Sequence, residues 1–294
     1  VASMKWKMSG ASLACCATVA LALTSACGSD KWPAQGKVRV GVKTDQPGTG
    51  FSVESYKTPK GFDIKVAQMS AKALEGQFES KPVPSSSRQS ALQNGDVDLV
   101  VATFSINNKR LSGKMGGPAV DFAGPYALTD QGFLVRKKDQ DFIDGNKEWY
   151  QDRKICAWEG TVSVEEIGES IKPSNITPGD SAEDCIRKLK SEDVFAIFSD
   201  KLLLHGIADM HKEYAVDDQA TVGTRQYWGI GIPKGHRKEC NKIKDSLKEY
   251  VQSGNWDRDF AASFPEGPNR NAYWKSEFAP EPGMIESFSC RDKI

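Results

Sequence analysis

Residues Val97 to Ala102 form an almost unbroken apolar run, interrupted only by Asp98. A strand that is apolar along its length has to be covered on both faces. That is the situation of a buried parallel strand in an α/β fold, not of a half-solvated antiparallel one. The residues before it agree. Val38 to Val42 read as a strand, and Ile64, Ala67, Ala71 and Leu74 recur on one face of a helix. Pro84-Ser85-Ser86-Ser87 supplies N-cap residues for a second helix that stops at Asn94-Gly95. Strand, helix, strand, helix, strand is the order of an α/β unit.

After Tyr126 the pattern restarts. Phe133 to Val135 and Ile155 to Trp158 read as strands, and Gly160-Thr161 opens a helix. Ser181-Ala182-Glu183-Asp184 is similar to a capping box ahead of a helix carrying Ile186 and Leu189. Val194 to Phe198 is a further strand, with Asp200 at its carboxyl end before a helix from Leu202 to His211. A long amphipathic helix then places Cys240, Ile243, Leu247 and Val251 on one face and stops at Gly254. The stretch from Pro265 onward, rich in Pro, Glu and aromatic residues, is expected to be an irregular tail.

The N-terminus follows other rules. Lys5 and Lys7 precede an uncharged stretch from Met8 to Ala26, which ends Ser25-Ala26-Cys27. A basic start, an apolar centre and small residues before a cleavage point describe an export signal over residues 1–27. The ending resembles a bacterial lipobox, with Cys27 as the lipidated residue, although Thr24 stands where Leu is usual. Residues 28–36 then read as a tether. With Cys15, Cys16 and Cys27 assigned to this segment, Cys156, Cys185, Cys240 and Cys290 remain. An even number in an exported chain points to disulfides, and four cysteines allow three connectivities.

Several chemistries find no support. Lys and Arg total 39 against 39 Asp and Glu, with no basic block, so no nucleic-acid surface is expected. His205, His211 and His236 lack metal-ligand spacing, so no metal or other cofactor is expected. Gly229-x-Gly231-x-x-x-Gly235 lacks the Lys-Ser/Thr of a phosphate loop and is interrupted by Pro233. No nucleophile elbow or zinc-protease motif occurs, so no enzyme is expected.

Seven segments, in order, carry a family resemblance: residues 38–48, 61–67, 85–110, 120–126, 156–163, 194–208 and 227–235. Together they resemble the family 3 extracellular solute-binding proteins, the receptors of polar amino-acid ABC importers. The resemblance implies an α/β, two-lobed, type II periplasmic-binding-protein-like fold with its ligand in the interlobe cleft. Lobe 1 would take residues 37–126 plus 228–264 and lobe 2 residues 131–222. Hinges would lie near 126–130 and 223–227, and 265–294 would be the C-terminal tail. It also implies a monomeric, lipid-anchored protein facing the cell exterior, whose partners are an amino acid and an importer permease with its ATPase. Cys156–Cys185 and Cys240–Cys290 are the implied disulfides: related actinobacterial receptors carry a pair matching the first, and the second would tie the tail to the long helix. A sensor signalling to a membrane partner is the alternative role.

The same resemblance assigns the ligand set. Arg110 would hold the α-carboxylate through its planar fork, helped by Ser105. Thr103 and Asp200 would meet the α-ammonium, and Thr161 would stand at a helix start that can face a carboxylate. Lys43, where relatives for cationic ligands carry Asp, and Arg88, in the loop before the second helix, would form a paired-cation side-chain pocket. Ser85 replaces an aromatic platform there. The implied ligand is glutamate or aspartate, with glutamine-type specificity as the alternative.

Overall fold

The computed structural model describes residues 32–33, 36–53, 58–143, 148–217, 219–267 and 273–294. The export segment, Cys27 and most of the tether lie outside the described residues. Among those described, no helix is long and apolar enough to cross a membrane.

The chain begins with β1 (Lys37–Val42), a short hairpin β2 (Asp45–Gln46) and β3 (Gly50–Phe51), α1 (Phe62–Ala73) and β4 (Gln77–Pro82). Next come α2 (Arg88–Gln93), β5 (Leu99–Val100), α3 (Asn108–Leu111) and β6 (Val120–Thr129). One residue after β6 the chain enters β7 (Gln131–Arg136), followed by α4 (Gln140–Ile143), β8 (Ile155–Trp158), α5 (Val162–Ser170) and β9 (Ile176–Gly179). Then follow α6 (Ala182–Lys190), β10 (Ala196–Asp200), α7 (Lys201–Met210) and β11 (Tyr214–Asp217). The chain returns through β12 (Gln226–Pro233) to α8 (Arg237–Gln252), α9 (Asn255–Ser263), α10 (Trp274–Phe278) and α11 (Pro282–Phe288).

Two five-stranded sheets result. The first has the order β4-β1-β5-β12-β6, the second β11-β7-β10-β8-β9. In the first sheet β1 runs parallel to β4 and β5, while β12 is antiparallel to β5 and β6. In the second, β10, β8 and β9 are parallel, and β7 pairs antiparallel with β10 and β11. Thus β12 completes the first sheet only after the whole second sheet has been laid down. This is the two-lobed α/β architecture that the family resemblance implied.

The buried faces explain the elements. Phe62, Ile64, Val66, Ala67 and Ala71 of α1 are all but inaccessible to solvent. Each large apolar side chain so buried contributes roughly 1.5–3 kcal/mol. Phe62 packs edge-on against Trp256 and Phe260 of α9, with ring centroids 5.3 Å apart in both cases. Ser181 caps α6 by accepting the Asp184 N–H at 3.1 Å, as its sequence pattern predicted. Gly254, in the left-handed conformation, follows α8 and N-caps α9.

Two expectations needed correction. The strand expected over 97–102 is regular only at Leu99–Val100; the Asp98 and Val101 N–H groups still donate to the Arg39 and Gly41 carbonyls of β1, and the chain then turns at Thr103, whose φ is +48°. The expected irregular tail instead contains α10 and α11. Its aromatic and aliphatic residues, Trp274, Phe278 and Ile285, are buried, while Cys290 is disulfide-bonded to Cys240. Ser289 Oγ accepts the Gly124 N–H at 2.8 Å and donates to the Gly124 carbonyl at 3.0 Å. The Cys290 N–H reaches the Phe122 carbonyl at 2.7 Å. The tail therefore covers the edge strand β6, whose main-chain groups would otherwise be free to pair with another chain. Composition showed the prolines but not that covering role. The second disulfide, Cys156–Cys185, joins β8 to α6 within the other lobe.

The lobes approach closely at two glycines. A Cβ on Gly206 of α7 would lie 2.1 Å from the Pro47 carbonyl oxygen in the hairpin region of the first lobe. A Cβ on Gly160, where φ is +73°, would lie 2.4 Å from the Ser86 Cα. Any larger residue at either place would push the lobes apart.

Candidate functional site

Where β5 ends, Thr103 adopts a backbone conformation that a β-branched residue enters only under constraint. The constraint is visible. Its N–H donates to Asp63 Oδ2 at 2.8 Å, and its single hydroxyl hydrogen lies within reach of two acceptors, the Ala102 carbonyl at 2.8 Å and Gln46 Oε1 at 3.2 Å. Asp63 also accepts the Tyr126 hydroxyl at 2.8 Å. Burial is the main cause that pushes the Asp63 pKa up to about 6, against those two hydrogen bonds. After the turn, Phe104 packs against Phe122 within the first lobe, with ring centroids 4.9 Å apart, and the chain runs on through Ser105 to α3.

Asn107 caps α3 by accepting the Arg110 N–H at 2.8 Å. The Arg110 side chain, 2% exposed, points inward. Its Nη1 donates to the Ser105 carbonyl at 2.7 Å and its Nη2 to the Gly160 carbonyl at 3.2 Å. Its Nε is buried without a hydrogen-bond partner. Arg88, at the start of α2, is equally buried but more fully engaged. Nε donates to the Ser85 carbonyl at 2.9 Å, Nη1 to the Ala102 and Thr103 carbonyls at 2.9 and 3.1 Å, and Nη2 to the Gly160 carbonyl at 2.8 Å. Both guanidiniums lie over the Phe104 ring, 4.7 and 4.6 Å from its centroid. Burial lowers the pKa of Arg88 to about 10 and that of Arg110 well below its ordinary value. At neutral pH Arg88 keeps its charge.

The second lobe contributes the opposite charge. Asp200 ends β10 and precedes α7, yet makes no side-chain capping bond to that helix. Its Oδ1 accepts Gln131 Nε2 at 3.0 Å and its Oδ2 accepts Trp228 Nε1 at 2.6 Å. Burial pushes its pKa up to about 6, opposed by these two hydrogen bonds. Thr161, at the N-cap position of α5, donates its hydroxyl to the Trp158 carbonyl at 2.6 Å and likewise makes no capping bond.

Six of the residues expected from the sequence, Arg88, Thr103, Ser105, Arg110, Thr161 and Asp200, line one small, largely enclosed cavity between the lobes. Gln131, Trp158, Val162, Ser163, Ser199 and Leu203 complete its wall. Sequence reasoning missed these. Trp158 and Ser163 lay inside a segment already singled out, and Ser199 beside Asp200. Gln131 sits one residue beyond the first crossover and had no motif to mark it.

Lys43 and Ser85 are not brought to the cavity wall. Ser85 is buried with its hydroxyl unpartnered, and contributes its carbonyl to Arg88. Lys43 is 5% exposed and paired with Asp45 at 3.3 Å. Asp45 Oδ2 in turn accepts the Ala182 N–H at 3.1 Å, at the start of α6 in the other lobe. Burial lowers the Lys43 pKa, and the Asp45 charge opposes it. The resemblance marked Lys43 by its position relative to Gly41; its pairing with Asp45 at the start of the hairpin was not visible there.

Chemically, the cavity offers two guanidiniums on one side, a carboxylate on the other and hydroxyl groups between. The charges of its lining are complementary to those of a molecule that carries both a carboxylate and an ammonium. Comparison with known proteins agrees in kind. Residues 38–264 match the family model for bacterial extracellular solute-binding proteins, family 3. The glutamate-binding protein GluB of Corynebacterium efficiens is 29% identical over 234 residues, covering 76% of this chain and 77% of that protein. The ABC transporter glutamine-binding protein GlnH of Bacillus subtilis is 30% identical over 235 residues, covering 79% of this chain and 82% of that protein. Among solved structures, a Neisseria gonorrhoeae solute receptor for L-cysteine superposes with a TM-score of 0.72 at 21% identity. That match covers 86% of this chain and 98% of the receptor, and it speaks for the fold alone.

Proposed function

Because the chain belongs to the bacterial extracellular solute-binding proteins, family 3, we propose that it captures an acidic amino acid, glutamate in preference to aspartate, between its lobes. In this reading it delivers the ligand to the permease and ATPase of an ABC importer and is held at the outer membrane face through a lipid on Cys27 as a monomer. It binds and releases its ligand without chemical change.

The observation that carries the reading is the buried, unpartnered Nε of Arg110, beside Arg88 and facing Asp200 across the cavity. A buried donor left unmade costs about 1–3 kcal/mol, more for a charged group. An α-carboxylate accepted by the Arg110 fork recovers that cost. Asp200 takes the ammonium, with Thr103 as an additional oxygen. Two cations and one carboxylate line the cavity, so a zwitterion leaves one positive charge unmatched, and an anionic side chain near Arg88 matches it. Lys43 enters this reading as part of an interlobe contact rather than as a pocket cation.

Glutamine is the second reading. Arg88 already donates to four main-chain carbonyls, which reduces what it can offer a ligand carboxylate, and the similarity to GlnH is as great as that to GluB. Calorimetry of residues 28–294 against the common amino acids separates the two. Glutamate is expected to bind most tightly. Arginine or histidine binding more tightly would end the acidic-ligand reading, and no binding by any amino acid would end the receptor reading itself.

A further inference from the structure

Asp200 is held from both crossovers. Gln131 is the first residue of the strand entered from β6, and Trp228 lies on β12, the strand that returns to the first lobe. Each donates one hydrogen bond to a different oxygen of the same carboxylate. Trp228 is wholly buried and rigidly seated. Its backbone bridges Ser105, the Ile106 N–H donates to the Tyr227 carbonyl at 2.7 Å, and the Gly229 N–H donates to the Phe104 carbonyl at 2.9 Å. The segment that shapes the Arg110 end of the cavity is therefore bonded directly to the strand that orients Asp200.

We propose that Trp228 is a positioning residue for ligand recognition: its indole N–H fixes the Asp200 carboxylate in the orientation and charge state that receive the ligand's ammonium. This rests on the assignment of Asp200 to the ammonium. The second donor, Gln131, gives one amide hydrogen to Ser163 Oγ at 3.0 Å and the other to Asp200 Oδ1, so it holds one oxygen of the carboxylate and leaves the other to Trp228. The indole bond, at 2.6 Å, is the shorter of the two. A donor to a buried carboxylate favours the ionised form. The charged groups acting on Asp200 are Glu166 from α5, which disfavours that form, and Arg88 and Arg110 from the first lobe, which favour it. Loss of the indole N–H therefore makes Asp200 protonate at a higher pH, and the protonated form does not attract an ammonium.

The test compares the full chain with Asp200→Asn, Trp228→Phe and Trp228→His, by calorimetry with glutamate and glutamine between pH 5 and 8. Trp228→Phe removes the donor and keeps an aromatic ring. It is expected to weaken both ligands by the same factor, about tenfold, as loss of a hydrogen bond to a charged group implies. The pH below which binding is lost should also rise. Trp228→His places a ring N–H at the same position and should recover affinity at pH 8. Unchanged affinity in Trp228→Phe, or weakened affinity with an unmoved pH profile, overturns the proposal. If Trp228→Phe does not fold, Trp228→His decides alone: affinity at pH 8 within about threefold of the parent supports the proposal, and a loss beyond about tenfold overturns it. Asp200→Asn separates the two levels. If it binds normally, the ammonium assignment is wrong; if it fails while Trp228→Phe binds normally, only the role of Trp228 is wrong.

Discussion

The two charged walls of the cavity are satisfied by different means. On the first lobe, Arg88 and Arg110 donate to main-chain carbonyls. On the second, Asp200 accepts from two neutral side chains, Gln131 and Trp228. Among the described residues, no ion pair within 4 Å joins the walls, and each charge is held by dipoles. A carboxylate held by two donors still has lone pairs to offer, whereas Arg110 keeps a buried Nε with no acceptor. The demand for a ligand is thus sharper on the cationic wall. Opening would break the bonds of both guanidiniums to the Gly160 carbonyl of the second lobe, while those to carbonyls of their own lobe stay and keep the side chains oriented in advance.

The largest expected effect comes from breaking the cationic wall. Arg110→Ala should weaken all amino-acid ligands alike by about 2–5 kcal/mol, the usual cost of truncating one partner of a buried charge pair. Calorimetry with glutamate, glutamine and aspartate measures it; a near-normal dissociation constant would show that the carboxylate sits elsewhere. A smaller effect tests what the second guanidinium adds. Glutamate should bind at least about tenfold more tightly than glutamine, a gap of about 1.4 kcal/mol, and Arg88→Ala should erode that ratio. Arg88→Ala should also lower the melting temperature, because the Ser85, Ala102 and Thr103 carbonyls lose their donor.

The acidic wall responds to pH. Asp63 and Asp200 have folded-state pKa values raised to about 6 from 3.8, so between those values the folded protein binds more protons than the unfolded chain. Their contribution to stability is present below about pH 4 and is lost as pH rises through 6. The ligand's ammonium reverses this at Asp200. The rise in melting temperature given by saturating glutamate should therefore be larger at pH 7 than at pH 5, and an equal rise at both would place the ammonium away from Asp200. The smallest effect is expected at Lys43. If it only steadies Asp45 against α6, Lys43→Met should change the affinity for glutamate and glutamine by the same modest factor. A changed ratio between them would return Lys43 to the ligand's field.

Local pattern made much of this readable. The α1 face at Ile64, Ala67 and Ala71 and the Ser181 cap are short-range signals, and they appear where the pattern put them. β4 was legible only as the strand that the α/β order requires between the two helices, since its residues Gln77–Pro82, polar apart from Phe78 and Pro82, are half-exposed at a sheet edge. β6, where Gly124-Pro125 interrupts the strand pattern, was not legible. In the site, Arg110 and Asp200 were legible through the family resemblance, and Asp200 also through its place between a strand end and a helix start. The partners of that Asp were not. Gln131 and Trp228 lie 69 and 28 residues from it, and only the fold brings them within bonding distance.

The return of β12 to the first sheet also sets an order of events during folding. The second lobe is one continuous stretch, so all its strand pairings become available once β11 has emerged. The first lobe cannot close its sheet until Gln226–Pro233 arrives, and its edge is not covered until Cys290 reaches Cys240. Contacts so distant along the chain form slowly, and the waiting half leaves strand edges open to other chains meanwhile. Pulsed hydrogen exchange during refolding should protect the Ile197 and Phe198 amides before the Ile230 and Ile232 amides. The lobe that begins the chain is thus expected to finish folding last.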